Sequence, residues 1–469
     1  MSKNDKYEKM INTPVEKLVL SLSVPTIISM LISNIYNLAD TAFVGKLGNS
    51  ASGAVGIVFG FMAILQAIGF LFGQGGGSIL SRQLGAKEED KASVTASVAF
   101  FSAFFISFLV ALVCGCFLQP IVMFLGSTDT IAPYASVYIC CILMAAPFLV
   151  TSFTLNNFLR YEGRAFLGMI GMMTGAVLNI LGDYILMQVL GMGIEGAGIS
   201  TAVSQLISFS ILFSMFARGK TTAKISFDIF WQCIQGKMED AVFGCALGVV
   251  VSTGLPSLLR QGLSSIVSIV LNEQAGKYGD EGVAAMSIVA RVGFFVFSVS
   301  LGIGQGFQPV GAFNYGAKRF DRLRKAFRFT VFISTAVLLV TSTICYLLSD
   351  HIIHVFRDDP TVIEMGTRAL KLHCLGQMFI PFCMSMEMCL QCTGRKVSAS
   401  VISVIRNGVV FVPLLLIMEK LRGFAGIQEA QPLSFAIAAI PVVFIAMHYF
   451  RTLQEEEDGL GIEEEQLFE

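Results

Sequence analysis

Charge is what this sequence has least of. Only 14% of its 469 residues are Asp, Glu, Lys or Arg, against roughly 25% in an ordinary soluble domain, and the mean hydropathy is +0.72. With 54% hydrophobic residues, so little charge excludes a soluble globular fold and leaves a polytopic membrane protein. A formal net charge of −1 gives no electrostatic footprint for nucleic acid. Histidine is scarce too: His351, His354, His373 and His448 are the whole set. No HExxH motif and no cytoplasmic cluster of His and acids is present, so a membrane enzyme is not expected. The 11 cysteines, Cys114, Cys116, Cys140, Cys141 and Cys389 among them, are scattered mostly through apolar segments. No pair of CxxC motifs suggests zinc, and the thiols are expected to be reduced core residues. Met1 to Lys9 is polar and leads into a long apolar run with no short hydrophobic region and cleavage site, so no cleaved signal peptide is expected.

What is abundant is apolar sequence in long runs. They cover 17–44, 53–80, 93–118, 132–158, 165–190, 195–217, 244–274, 283–312, 326–349, 362–391, 398–420 and 430–451. Each is long enough for one helix of about 20 residues, so the fold class is all-α with twelve transmembrane helices. An even number puts both termini on one side. Most of the 32 Lys and Arg lie at the termini and in the connections starting at Arg82, Arg160, Arg218, Lys318 and Arg395, which places both termini in the cytoplasm of a multi-pass cell-membrane protein. Two bases, Arg260 and Arg291, stand out inside the spans. The organisation expected is a lobe at 1–217, a cytoplasmic connector at 218–243, a second lobe at 244–452 and a tail at 453–469. The connector, with the single tryptophan Trp231, reads as an interfacial amphipathic helix, and the acidic tail as a solvated end.

The chain also repeats itself. Pro25 matches Pro256, Gly73-Gln74-Gly75 matches Gly304-Gln305-Gly306, Gly85-Ala86-Lys87 matches Gly316-Ala317-Lys318, and Gly163-Arg164 matches Gly394-Arg395, all at an offset of 231 residues. Gly45-Lys46-Leu47-Gly48 and Gly276-Lys277-Tyr278-Gly279 keep the same offset. Six spans per repeat is an even number, so the halves are two pseudo-symmetric six-helix lobes related by a parallel repeat, an architecture of secondary transporters. The paired glycines suit close helix packing.

Charge breaks that symmetry. Asp40 stands opposite Leu271, Asp183 opposite Leu414, Arg260 opposite Ser29, Arg291 opposite Gly60 and Glu387 opposite Asn156. Ser33, Tyr36, Asn37 and Asp40 share one helical face, and an acid inside a membrane is a functional-site hypothesis by default. At about 1.5 Å per residue, Asp40 lies about 8 Å from the outer edge of its span, Asp183 about 12 Å and Thr201 about 9 Å. Asn179 sits one turn from Asp183 on the same face. Two carboxylates, an amide and a hydroxyl at one depth can share a proton or hold a dehydrated Na+. Gln261, Ser264, Ser265, Ser268 and Asn272 form a polar stripe expected to face the same central cavity, and Arg260 and Arg291 are candidate partners for Glu387.

From Pro25 to about Phe450 the chain resembles the multidrug and toxic compound extrusion (MATE) family. The residues that carry the resemblance are Ile35-Tyr36-Asn37 to Asp40, Phe43-Val44-Gly45, Gly73-Gln74-Gly75, Leu84-Gly85-Ala86-Lys87, Asn157-Phe158-Leu159-Arg160, Asn179 to Asp183, and Gly311 to Lys318. The resemblance implies a monomer that exports amphipathic, often cationic organic compounds in exchange for H+ or Na+, with no other cofactor. It carries the cation-coupling roles over to Asp40, Asn179, Asp183 and Thr201. It also suggests a substrate cavity that includes Tyr36 and Asn157, to which Asn37 and the polar and charged residues Gln261, Ser264, Ser268, Arg291 and Glu387 of the second half are added. One branch of the family places acidic ligands on helix seven of the C-lobe. Here that helix offers Gln261 at depth and Glu273 only near its outer end, so coupling in the first half is favoured. The alternative is an exporter of lipid-linked or polar metabolites built around Arg260 and Arg291.

Overall fold

The computed structural model describes residues 3–45, 47, 49–237 and 243–468; Lys46 and Gly48 of the duplicated turn and residues 238–242 of the connector lie outside them. No strand occurs among the described residues. In lipid every backbone N–H and C=O must be satisfied within the segment, so apolar runs of this length become helices. The first six spans are α1 (Val15–Gly45), α2 (Asn49–Gly85), α3 (Glu89–Cys116), α4 (Ala132–Tyr161), α5 (Ala165–Asp183) and α6 (Gly193–Ala217). The next three are α7 (Phe243–Gly276), α8 (Gly279–Gly316) and α9 (Phe320–Leu347). Span ten is α10a (Pro360–Gly376) and α10b (Ile380–Cys392), span eleven is α11a (Lys396–Val404) and α11b (Phe411–Arg422), and α12 is Phe424–Phe468.

Eleven described helices are long and apolar enough to cross a membrane alone. The twelfth run is broken between α10a and α10b by a 3-10 turn, Gln377–Phe379. Pro381 has no N–H to offer the Gln377 carbonyl, and the N–H of Ile380 takes it instead with the tighter spacing. Two spans contain a wide π turn. Tyr184–Val189 follows α5 directly after Asp183, and Ile405–Val409 joins α11a to α11b.

The duplication is visible in backbone detail. Lys87 (φ 62°) and Lys318 (φ 55°) are the two non-glycine residues in the left-handed region among the described residues, and Gly163 (φ 76°) and Gly394 (φ 87°) pair at the same offset. Each lets the next N–H reach back to close its helix. Glu88 N–H meets Gln83 O, Arg319 N–H meets Asn314 O, Arg164 N–H meets Leu159 O and Arg395 N–H meets Leu390 O, all at 2.8 Å.

The chain forms two compact units, Val24–Gln261 with the N-terminal stretch to Tyr7, and Gly262–Glu469 with Glu8–Ser23. Two spans therefore change unit along their length. The start of α1, up to Ser23, belongs with α8–α12, and α7 up to Gln261 belongs with α2–α6. The Gly-Gln-Gly motifs explain how. In the first unit a Cβ on Gly75 would lie 2.3 Å from Val250 O, and one on Gly254 would lie 1.9 Å from Leu71 O. In the second unit a Cβ on Gly306 would lie 2.1 Å from Ser23 Oγ, at the repeat-related position. Backbones touch at these points, so Gly254→Val is expected to lever α7 off α2 and destabilise the protein by about 1–3 kcal/mol. A thermal melt of the purified variant checks this.

The connector holds a helix, Phe227–Ile234, started by Ser226, whose Oγ accepts from Asp228 N–H. Phe230 and Cys233 bury against α3, while Phe227, Trp231 and Ile234 are half exposed. The acidic tail is not simply solvated. It continues α12, where Glu456 pairs with Arg395 and accepts from the Tyr315 hydroxyl, and Glu457 lies 2.6 Å from Arg324. None of the eleven cysteines is in a disulfide, but Cys116, Cys140 and Cys245 are exposed on helix surfaces and are not core residues.

Candidate functional site

Four spans of the first unit bring polar groups to one buried place. Small residues allow the approach: a Cβ on Gly182 would meet Ser200 Oγ at 2.4 Å, and one on Gly175 would meet Ser208 Cβ at 2.9 Å, so α5 lies close on α6. Asp40 on α1 is 2% exposed, Asn179 and Asp183 on α5 are 2% and 0%, and Thr201 on α6 is 3%. Tyr138 on α4 joins them. Its Oη donates to Asp40 Oδ2 at 3.0 Å and lies 3.2 Å from Thr201 Oγ1. Asn179 Nδ2 donates to Thr201 Oγ1 at 3.1 Å, and Ser200 Oγ donates to the Asn179 carbonyl at 2.9 Å.

Each hydroxyl has one proton, which fixes the direction of this chain. Asn179 N–H donates to Thr201, Thr201 donates to Tyr138, and Tyr138 donates to Asp40. The acceptors left over are Asp40 Oδ1, Asn179 Oδ1 and both carboxylate oxygens of Asp183, all buried; Ser200 lies close to Asp183, but its one proton is given to the Asn179 carbonyl. Buried polar atoms are nearly always satisfied. A group of open oxygens with no open donor among them is chemically complementary to a cation, whether a proton or a dehydrated metal ion. Asp40 and Asp183 are within electrostatic range of one another, and half-buried Tyr36 is within range of both. The π turn starting at Tyr184 directly follows Asp183, and such turns recur at functional sites.

The other candidates are placed differently. Asn37 is half buried, and its carbonyl accepts from Thr41 Oγ1 at 2.8 Å. Asn157 is fully buried, donating to Phe153 O at 2.7 Å, accepting from Arg160 and backing onto Gly73. Gln261 reaches Gln66 at 3.4 Å within the first unit. Ser264 and Ser268 belong to the second unit and are exposed, with Ser268 Oγ bonded to Ser264 O. Arg291 is exposed. Arg260 is buried in the first unit, where it donates to Gln74 Oε1 at 3.3 Å. A partner of Glu387 is Arg406, a third base inside the spans, with Nη2 3.1 Å from Glu387 Oε2.

Three contributors were therefore missed by sequence reading: Tyr138, Ser200 and Arg406. The comparison of repeats flags two of them, since Tyr138 stands opposite Ala369 and Arg406 opposite Gly175. Tyr138→Phe keeps the ring and removes the link between Asp40 and Thr201. A loss of about 1–1.5 kcal/mol predicts a transport rate down by about tenfold, read as the initial rate of export of a fluorescent lipophilic cation.

The MatE family model matches residues 25–185 and again 256–417, two matches that begin 231 residues apart. The multidrug export protein MepA of Staphylococcus haemolyticus (strain JCSC1435) is 27% identical over 431 residues, 92% of each chain. A MATE crystal structure in the straight conformation shares the fold with a TM-score of 0.88 at 23% identity, covering 95% of this chain and 98% of that one. The Vibrio cholerae MATE transporter VcmN matches with a TM-score of 0.86 at 21% identity, covering 93% and 97%.

Proposed function

The chain belongs to the MATE family of efflux transporters, and on that premise we propose that it exports drugs and other amphipathic, often cationic organic compounds from the cell in exchange for inward H+ or Na+. One observation carries the cation half of this reading. Asp40, Asn179 and Asp183 together present four buried oxygens left over as acceptors. A proton or Na+ would satisfy them as transported cargo, with Thr201 and Tyr138 holding the ligand side chains in place. The relative's name, a multidrug export protein, supports the substrate class.

Coupling requires that drug and cation prefer different states of the protein. Asp40 is suited to transmit such a preference, because it lies on α1, the span whose start, up to Ser23, is counted with the other unit. Cation arriving from outside at Asp40 and Asp183 favours drug release, and cation leaving to the cytoplasm resets the protein for the next drug. Both termini then face the cytoplasm of the cell membrane. Proteoliposomes loaded with a fluorescent lipophilic cation test the reading. An imposed H+ or Na+ gradient is expected to drive its movement against its own gradient, and transport indifferent to both gradients would contradict exchange.

A further inference from the structure

The connector helix Phe227–Ile234 has three faces, and one of them is spent on packing against the protein. Phe230 and Cys233 are buried against α3, where Phe230 stacks on Phe105 with ring centroids 5.9 Å apart. Asp228, Gln232 and Gln235 share a polar face and are exposed. Between these, Phe227, Trp231 and Ile234 recur at helical spacing on an apolar face that is half exposed. Phe227 and Trp231 stack at 6.2 Å with their planes 18° apart, and Phe227 meets Phe101 of α3 at 5.4 Å. This face is continuous with surface that lies in lipid. Phe105, Phe108, Leu109 and Leu112 of α3 are half exposed at the same spacing along a membrane span.

Bases surround the aromatic pair. Arg218 and Lys220 directly follow α6, Lys224 precedes the connector helix and Lys237 follows it, and all four are exposed. Between Arg218 and Lys237 the one acid is Asp228. Neighbouring acids are engaged elsewhere. Glu162 accepts from Thr222 and Ala223 N–H at 2.8 and 2.9 Å, Glu88 pairs with Lys91 at 2.8 Å, and Glu89 and Asp90 lie in the first turn of α3, where its dipole favours them. The backbone at Lys224 is pinned to the same end of α3. Its N–H donates to Ser93 Oγ at 3.1 Å, and Ser97 Oγ accepts from Ser226 N–H at 3.1 Å and donates to Lys224 O at 3.3 Å.

Aromatic rings at the end of a span, with bases just beyond them, match the two layers of an anionic bilayer surface. We propose that the connector is a docking surface for acidic phospholipids. Phe227, Trp231 and Ile234 enter the interfacial layer, and Arg218, Lys220, Lys224 and Lys237 hold the lipid phosphates. Because the loop is already fixed on Ser93 and Ser97, its basic residues need little ordering when lipid binds. A soluble acidic partner would use the bases but leave the apolar face in water.

Trp231 is the only tryptophan of the chain, so intrinsic fluorescence reports on this helix alone. The full-length protein is placed in nanodiscs of phosphatidylcholine and phosphatidylglycerol in equal amounts, with bromine on the acyl chains of one lipid or the other. Both faces of a nanodisc carry the same lipids, so the result depends neither on the sidedness of the connector nor on the exchange reading. Brominated phosphatidylglycerol should quench Trp231 as a lipid enriched about fivefold over phosphatidylcholine, the worth of one base near an anionic surface. In the variant R218Q/K220Q/K224Q/K237Q the ratio should fall to about one. Quenching of that variant in brominated phosphatidylcholine alone should equal wild type, because the apolar face is intact. Salt at about 1 M should lower the ratio for the unaltered chain in the same way. Equal quenching by the two brominated lipids, quenching by neither, or a preference that survives in the variant or in high salt overturns the proposal.

Discussion

Asp40→Asn is expected to leave the protein folded and in the membrane while reducing drug export to the level of cells that carry no transporter. The side chains are nearly isosteric, and an Asn oxygen still accepts from Tyr138 Oη, the bond that Asp40 makes at 3.0 Å. What disappears is the charge. Without it the site can neither take up a proton on this residue nor balance a metal ion, and the energy stored in the cation gradient no longer favours one state over the other. Leu271 at the repeat-related position, 4% exposed in the second unit, shows that the helix accepts a neutral residue there. Drug susceptibility of cells and the amount of variant in the membrane are measured together. Wild-type resistance at wild-type abundance would show that Asp40 has no part in coupling.

Asp183→Asn should separate function from stability more sharply. Both oxygens of Asp183 are buried, with Ser200 beside them giving its proton to the Asn179 carbonyl, whereas Asp40 has the Tyr138 hydroxyl on one of its two. A buried charge without compensation is costly. Replacing it with a neutral amide is expected to stabilise the cation-free protein by about 1–3 kcal/mol, seen as a melting temperature a few degrees higher, and to abolish export. The double variant Asp40→Asn with Asp183→Asn should export no worse than either single one, because groups that hold one ion act as a unit. A melting temperature lowered by Asp183→Asn would mean that the carboxylate is satisfied by something other than a transported cation.

Much of this was legible before any coordinates. Long apolar runs fixed the helices, because lipid leaves the backbone no other way to satisfy its polar groups. The offset of 231 residues revealed two related halves, and the left-handed lysines Lys87 and Lys318 repeat it in the backbone. Depth along the spans gathered Asp40, Asn179, Asp183 and Thr201 because intramembrane acids are rare enough to be counted individually.

Other features were hidden for physical reasons. The break in span ten lies at Pro381, yet Pro25, Pro147, Pro256 and Pro309 sit inside unbroken helices, so proline alone does not announce a break. Whether a freed carbonyl finds another donor depends on neighbours that the sequence does not place. Tyr138 reads as one more core aromatic until its hydroxyl is seen on Asp40. Arg406 vanished into the apolar average of its run, and only the π turn shows where such a side chain fits. The exchange of the first parts of α1 and α7 between units depends on backbone contact at Gly75, Gly254 and Gly306, which a motif of glycines permits but does not specify.

The central claim is that drug and cation compete through Asp40 and Asp183, and it can be read without a membrane gradient. Purified protein in weakly buffered detergent solution is mixed with a lipophilic cation that it exports, and the protons released are counted with a pH indicator, with displaced 22Na+ followed in parallel. Wild type should release protons or Na+ on binding drug, and Asp40→Asn and Asp183→Asn should bind drug with no such release. Equal release from wild type and both variants would contradict the account, because the displaced cation would then have been held elsewhere.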